Sequence, residues 1–257
     1  MLIRILKGLL LTAVVLLVLL AATLGYLFQH PEIITEKVEN WYESNYMGDL
    51  QLGKLTLSSW REWPNATLNI HDLSLTDTTQ THSTAPTLLI EELAVKLSLA
   101  QVFQREVILE NLVIKGGHFR SLTDKDGDTN TNILQALSPT ASGWRNGGML
   151  HLKNLQSLAL TINDFELALD NPLKNKQFAG YIENIAAQIT LSDTLITSDM
   201  VIDAYVEGLG FNLDKGSYLE NTAVNAPLQL QYDRQLSTIE IPQFPLQLNE
   251  QTFLAET

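Results

Sequence analysis

The sequence predicts a mainly β protein with an N-terminal transmembrane helix. The sheet is expected to be curled and antiparallel, forming an open groove or a partly closed sandwich, with a few short helices. Three observations lead there. From Leu50 onward, short runs rich in Leu, Ile and Val alternate apolar with polar residues. Asp, Asn, Ser, Thr, Gly and Pro separate those runs, and few convincing helices lie between them, which favours hairpins over βαβ units. Ahead of them, Gly8 to Phe28 is 21 residues without a charge.

As a helix rising about 1.5 Å per residue, that first run covers roughly 31 Å, the thickness of a bilayer's hydrocarbon core. A cleaved signal peptide competes with it. Signal h-regions are shorter and end at a small-residue site, whereas Ala21-Ala22-Thr23 continues into Leu24, Tyr26, Leu27 and Phe28. An uncleaved anchor is therefore expected. Arg4 and Lys7 precede it and Glu32, Glu36 and Glu39 follow, which orients the N-terminus to the cytoplasm.

Residues 31–46 read as one amphipathic helix. Pro31 suits a first turn, and Ile34, Val38, Trp41 and Tyr42 recur at helical spacing. About nine strands follow, at 51–57, 67–75, 88–99, 105–119, 149–162, 181–191, 199–211, 227–233 and 236–248. Two short helical stretches are expected, around Leu99–Gln104 and Asn132–Leu137.

Within the strands one pattern recurs: an apolar residue, two polar ones, another apolar residue. It appears at Ile70/Leu73, Ile90/Leu93, Leu109/Leu112, Leu152/Leu155 and Ile182/Ile185. Strict alternation would send the two members of a pair to opposite faces. One extra residue keeps them together, so a bulge or sharp bend is expected near Asp72, Glu92, Asn111, Asn154 and Asn184.

Composition excludes several functions. The residues after the apolar run carry all 29 acidic residues but only 14 of the 16 basic ones, a net charge of −15 that opposes binding to nucleic acid and docking on an anionic lipid surface. No cysteine is present, which removes disulfides, Cys-ligated zinc and thiol catalysis. The five histidines form no H-E-x-x-H, and neither G-x-S-x-G nor G-x-x-x-x-G-K-[ST] occurs. No catalytic residue, cofactor or metal site is expected.

The one stretch that invites a metal is "DKDGDTNTNIL", 124–134. Asp124, Asp126 and Asp128 fit the first three ligand positions of a calcium loop. The sixth position holds Thr129 instead of Gly and the twelfth Gln135 instead of Glu, and a strand precedes the loop in place of a helix. It reads instead as a turn, with Asn130 or Asn132 suited to cap a following helix.

A lone N-terminal anchor, an amphipathic helix, "LGKLTLSSWREWPNATLNIHDLSLTD" and then "IEELAVKLSLAQVFQREVILENLVIKGGHFRSLTDKDGDTNTNIL" together resemble the N-terminal region of AsmA family proteins. In that family a strand passes through a short helix into a strand pair, and a D-x-x-G-x-x-N turn leads into another helix. Asp124, Gly127 and Asn130 fall on that turn. The likeness covers roughly residues 1–137 and continues more loosely to 257. It implies a bacterial inner-membrane protein with its bulk in the periplasm, involved in outer-membrane and envelope assembly and in moving phospholipid along an apolar β groove, with no enzymatic activity.

The division expected is 1–30 as cytoplasmic tip and anchor, 31–137 as the AsmA-like periplasmic region, and 138–257 as a continuation of the sheet. Family members are usually longer, and the chain stops just as another strand is due, so a truncated form or a short member needing a partner is expected. Candidate groove residues are Leu73, Leu75, Leu93, Val95, Leu97, Leu112, Ile114, Leu158, Leu160 and Ile162. The partners expected are phospholipid or another acyl-chain lipid, the inner membrane through 8–28, and an envelope protein. Read from the residues alone, one-face-apolar strands fit a closed sandwich or barrel core as well as an open groove, and an anchored scaffold is the alternative function.

Overall fold

The computed structural model describes residues 32–58, 65–77, 85–98, 109–131, 157–192 and 194–255. The apolar run 8–28, the helical stretches expected at 99–104 and 132–137, and the pattern at Leu152/Leu155 lie outside these residues. Among the described residues no helix is long and apolar enough to cross a membrane.

One α-helix, α1 (Glu32–Asn45), precedes the strands β1 (Asp49–Gln51), β2 (Leu55–Ser58), β3 (Asn65–Thr76), β4 (Leu88–Ser98) and β5 (Leu109–Leu122). After them come β6 (Ser157–Asn171), β7 (Lys176–Leu191), β8 (Leu195–Gly210), β9 (Leu219–Asp233), β10 (Thr238–Glu240), β11 (Phe244–Leu248) and β12 (Gln251–Ala255). All twelve belong to one open sheet in the order β1-β3-β4-β5-β6-β7-β8-β9-β11-β12, with β2 also on β3 and β10 also on β9. Mainly β, open and poor in helix, this is the expected class in its coarse form.

Pairing is antiparallel with one exception, which corrects the expectation of antiparallel pairing throughout. β5 and β6 run parallel, Ile114 beside Ile162 and Phe119 beside Leu167. Parallel neighbours need a connection of a dozen or more residues, and residues 132–156 supply that length.

β1 and β2 are two pieces of one edge strand. Leu50 faces Leu75 and Leu55 faces Ile70 in a single continuing register. Between them, Gly53 N–H donates to the Asp72 carbonyl (3.3 Å) and the Lys54 carbonyl accepts from His71 N–H (2.9 Å).

α1 packs by one face only. Tyr42 is buried with Leu50 and Leu75, and Val38, Tyr46, Leu52, Leu73 and Leu88 close around them. Tyr42 and Tyr46 stack at 5.1 Å, and the Glu39 carboxylate accepts from Leu52 N–H at 2.7 Å. Trp41, expected in the apolar stripe, is instead 45% exposed, with its ring edge-on to Tyr46 at 5.8 Å. It stands one residue off the buried line Val38–Tyr42–Tyr46, about 100° around the helix.

Candidate functional site: the apolar face of the sheet

The strand registers align the apolar residues into rows running across the sheet. One row is Leu55, Ile70, Leu93, Ile114, Ile162, Ile185, Ile202 and Ala226. The next is Leu73, Ile90, Gly117, Phe165, Ile182, Ala204, Val224 and Leu248. Members of both rows pack together around Ile90, Phe165 and Ile182, so the two rows share a face.

On β3, β4, β6 and β7 the rows are three residues apart. Between them lie His71-Asp72, Glu91-Glu92, Asn163-Asp164 and Glu183-Asn184, and Lys115-Gly116 holds the same place on β5. The expected irregularity is therefore present at Asp72, Glu92 and Asn184, and it is a single feature crossing the sheet. Asp72, Gly116 and Asp164 take left-handed backbone conformations, with φ of 56°, 71° and 55°. Each belongs to one of the three strands that run in the same direction. Opposite strands skip a residue in step, so Asp72 faces Glu91 unpaired without any slip of register.

This crease ends where β7 meets β8, at a true register shift between Ile182 and Asn184. A second shift between Ala179 and Gly180 opens another crease on β8 and β9. There Val206 and Leu209 stand three apart, opposite Thr222 and Leu219, and Asn221 has φ 47°. Near Asn111 the irregularity takes a different form, a register shift opposite Lys96 and Leu97.

Two tyrosines brace these creases from the outer face. Tyr181 Oη donates to Asp164 Oδ1 at 2.8 Å, and Tyr205 Oη donates to Asn221 Oδ1 at 3.2 Å. The bond to Asp164 raises the Tyr181 phenol above its ordinary pKa. Each crease places one extra residue of the strand on the outer face.

Nine of the ten candidate groove residues fall on the apolar face, Leu97 being the exception. Leu73, Leu93, Ile114 and Ile162 belong to the central cluster, and Leu75 is buried beneath Tyr42. Val95, Leu112 and Leu160 form a further row with Ala187, Met200 and Leu228. Leu158 lies in line with Ile189, Ser198 and Leu230. Leu97 pairs with Ala66 at the strand end, its side chain outside the described set.

Sequence reasoning missed Phe165, and it left Ile90 and Ile182, both named by their spacing, off the groove candidates; these three are the buried centre of the face. It ended the strand at Ile162 because Asn163-Asp164 reads as a turn, yet β6 runs nine residues further to Asn171. The signal that could have found Phe165 is Ile162/Phe165, which repeats the three-residue spacing.

No charged side chain stands in these rows. Charge collects on the opposite face, where Asp72, Glu91, Asp164, Glu183 and Glu207 are exposed along the creases. α1 covers only the corner at Leu50 and Leu75. Across the rest, Leu93, Val95, Leu112, Leu158, Leu160, Ile162 and Met200 are half-buried by their neighbours in the sheet, and among the described residues no second layer lies over them.

The acidic loop after β5 is a turn. Asp124 Oδ1 accepts from the backbone N–H of Asp126 and of Asp128, both at 2.9 Å, and Gly127 has φ 95°. Asn130 is buried and turns its carboxamide back onto β5, accepting from Leu122 N–H and donating to the Arg120 carbonyl, each at 2.8 Å. Its own carbonyl accepts from the Thr87 hydroxyl at 3.0 Å. Asn132 lies outside the described residues.

Comparison with known protein families finds no matching family model, and comparison with curated proteins finds no match either.

Proposed function

We propose that this chain is a membrane-anchored protein of AsmA type that carries phospholipid, or another acyl-chain lipid, along the apolar face of its open sheet. In this reading residues 8–28 anchor it in the bacterial inner membrane and the sheet stands in the periplasm, serving outer-membrane and envelope assembly. The observation that supports it is the charge-free apolar face, continuous from β3 to β9 and uncovered among the described residues beyond the corner held by α1. Seven strands about 4.8 Å apart make that face about 29 Å across. The creases turn it into a trough whose axis runs across the strands. Acyl chains need only non-directional contact, worth about 25 cal/mol per Å² buried, so no tuned acid, base or ligand set is required.

The test is phospholipid co-purification with single charged substitutions in one transverse row. Leu160→Asp, Met200→Asp and Leu228→Asp should each deplete bound lipid, while Val201→Asp on the outer face should not. Folded variants that keep their lipid in all three cases would remove the proposal.

A second reading, an anchored scaffold for an envelope protein, draws on one observation. The strand β12 is an edge with Phe253 47% and Leu254 68% exposed, on opposite faces, and it carries no lysine or proline to discourage pairing. That reading expects Phe253→Pro to abolish a crosslinked protein partner and to leave bound lipid unchanged.

A further inference from the structure

We infer that Ser198 is the polar anchor of the apolar face, a hydroxyl that donates to the ester carbonyl of a bound glycerolipid. The lipid then lies crosswise in the trough, its ester end toward the β7–β8 turn and its acyl chains along the strands. The inference deepens the lipid-carrying reading and rests on it.

Ser198 is set apart by its surroundings. Across β6, β7 and β8, from the row of Leu158 to the row of Leu167, the other inward positions hold Leu, Ile, Ala, Met, Phe, Val and Gly. Ser198 is the one polar side chain there among the described residues. Its exposure is 6%, and among the described residues its hydroxyl has no hydrogen-bond partner. Thr87, Asn130 and Thr222 are also buried, and each of their side chains makes a hydrogen bond.

The strand offers no relief of its own. β8 is paired on both sides at this residue, to Ile189 of β7 and Leu230 of β9, so the nearby backbone groups are engaged in the ladders. Water does not fit either. A buried water needs about two to four polar partners. The side chains around Ser198 are Ile189 and Leu230 across the strands and Ile196 and Met200 along its own, so a water would find only one.

What fits is a hydrogen-bond acceptor carried on an otherwise apolar molecule. A phosphate or carboxylate would bring an unpaired charge into this setting, at a far larger cost. The ester carbonyl at the head of an acyl chain is neutral. Those four neighbours, all larger than serine, account for its burial, because among the described residues no second layer lies over the face. A carbonyl reaches the hydroxyl when Met200, unbranched and the most adaptable of the four, turns aside.

Position sets the orientation. β8 begins at Leu195, so Ser198 stands beside the β7–β8 turn. One row nearer that turn, Tyr232 lies opposite Ile196 on the same face and adds a second neutral hydroxyl on the headgroup side. In the other direction, Ser198 to Val206 spans at most roughly 26 Å at about 3.3 Å per residue. Half a bilayer's hydrocarbon core is about 15 Å deep, so an acyl chain fits within that length.

Full-length wild type and Ser198→Ala, purified in detergent, would each be equilibrated with an equimolar mixture of diester and diether phosphatidylethanolamine of matched chains. Bound lipid would be read by native mass spectrometry. The diether form keeps the headgroup and chains and lacks only the carbonyls. Wild type should enrich the diester form roughly fivefold, the worth of one neutral hydrogen bond. Ser198→Ala should bind lipid without that enrichment. Lipid-loaded wild type with no preference would overturn the anchor and leave the lipid-carrying reading standing. A Ser198→Ala protein that keeps the wild-type preference would overturn it by placing the carbonyl contact elsewhere. Wild type that takes up neither lipid would remove the lipid-carrying reading and this inference together.

Discussion

Asp72 sits in the middle of a twelve-residue strand with φ 56°, a conformation that costs most L-residues about 1–2 kcal/mol. Asp and Asn tolerate it, and Asp164, Asn175, Asn221 and Asn249 occupy the same region. Asp72→Gly should therefore match or exceed wild-type stability in urea unfolding, whereas Asp72→Val should lose about 2 kcal/mol as a β-branched residue is forced left-handed. Tyr42 gives a pH prediction. Burial pushes its phenol up to about 12, with Tyr46 and Asp77 adding to the effect. The folded pKa lies above the unfolded value near 10, so the neutral phenol's contribution is intact below pH 10 and is lost as pH rises toward 12. Tyr42→Phe should flatten the alkaline limb of a thermal-melting profile measured against pH. Asn130 carries a third prediction. Asn130→Ala strips partners from Leu122 N–H and the Arg120 carbonyl, and should cost about 2 kcal/mol in the same unfolding measurement.

At the scale of elements, the pattern of two apolar residues flanking two polar ones was readable because the inner face must stay apolar through the bend. Ile70/Leu73, Ile90/Leu93 and Ile182/Ile185 flank the crease as that spacing requires. Leu109/Leu112 shows the limit of the pattern, since on β5 the crease falls at Lys115-Gly116, and Gly117 stands where the second apolar residue would be. Strand lengths were less readable. β6 and β9 each hold a left-handed Asp or Asn, residue types that ordinarily end strands. β9 also contains Pro227, tolerated because pairing to β11 stops at Val224–Asn225 and pairing to β10 begins only at Gln231. The apolar face was legible residue by residue, whereas the parallel β5–β6 pair was not, because it depends on residues far apart in sequence. Gly117 tests the crease as an element. Its φ is 131°, and an added Cβ would press on the Leu89 carbonyl, which belongs to backbone and cannot swing away. Gly116 would meet only the Glu91 side chain. Gly117→Ala should therefore destabilise more than Gly116→Ala, by about 2 kcal/mol in chemical unfolding.

For the whole molecule, the balance between sheet and solvent decides behaviour. Among the described residues the sheet is open at both β1 and β12, and its one apolar face is half-buried with no second layer over it. Ser198 sits on that face, 94% buried, and among the described residues its hydroxyl has no hydrogen-bond partner. Ser198→Ala should leave thermal stability unchanged or raise it by up to about 1 kcal/mol, since it removes a desolvated polar atom. The creases have a consequence for how such a molecule can change size. From β3 to β7 each strand brings its own share of the bend, and its neighbour answers in step without shifting register. A hairpin could therefore be spliced in or removed as a tile, inheriting the curvature of those beside it. Length in this architecture is a counting variable, open to duplication of strand pairs without redesign of the rest.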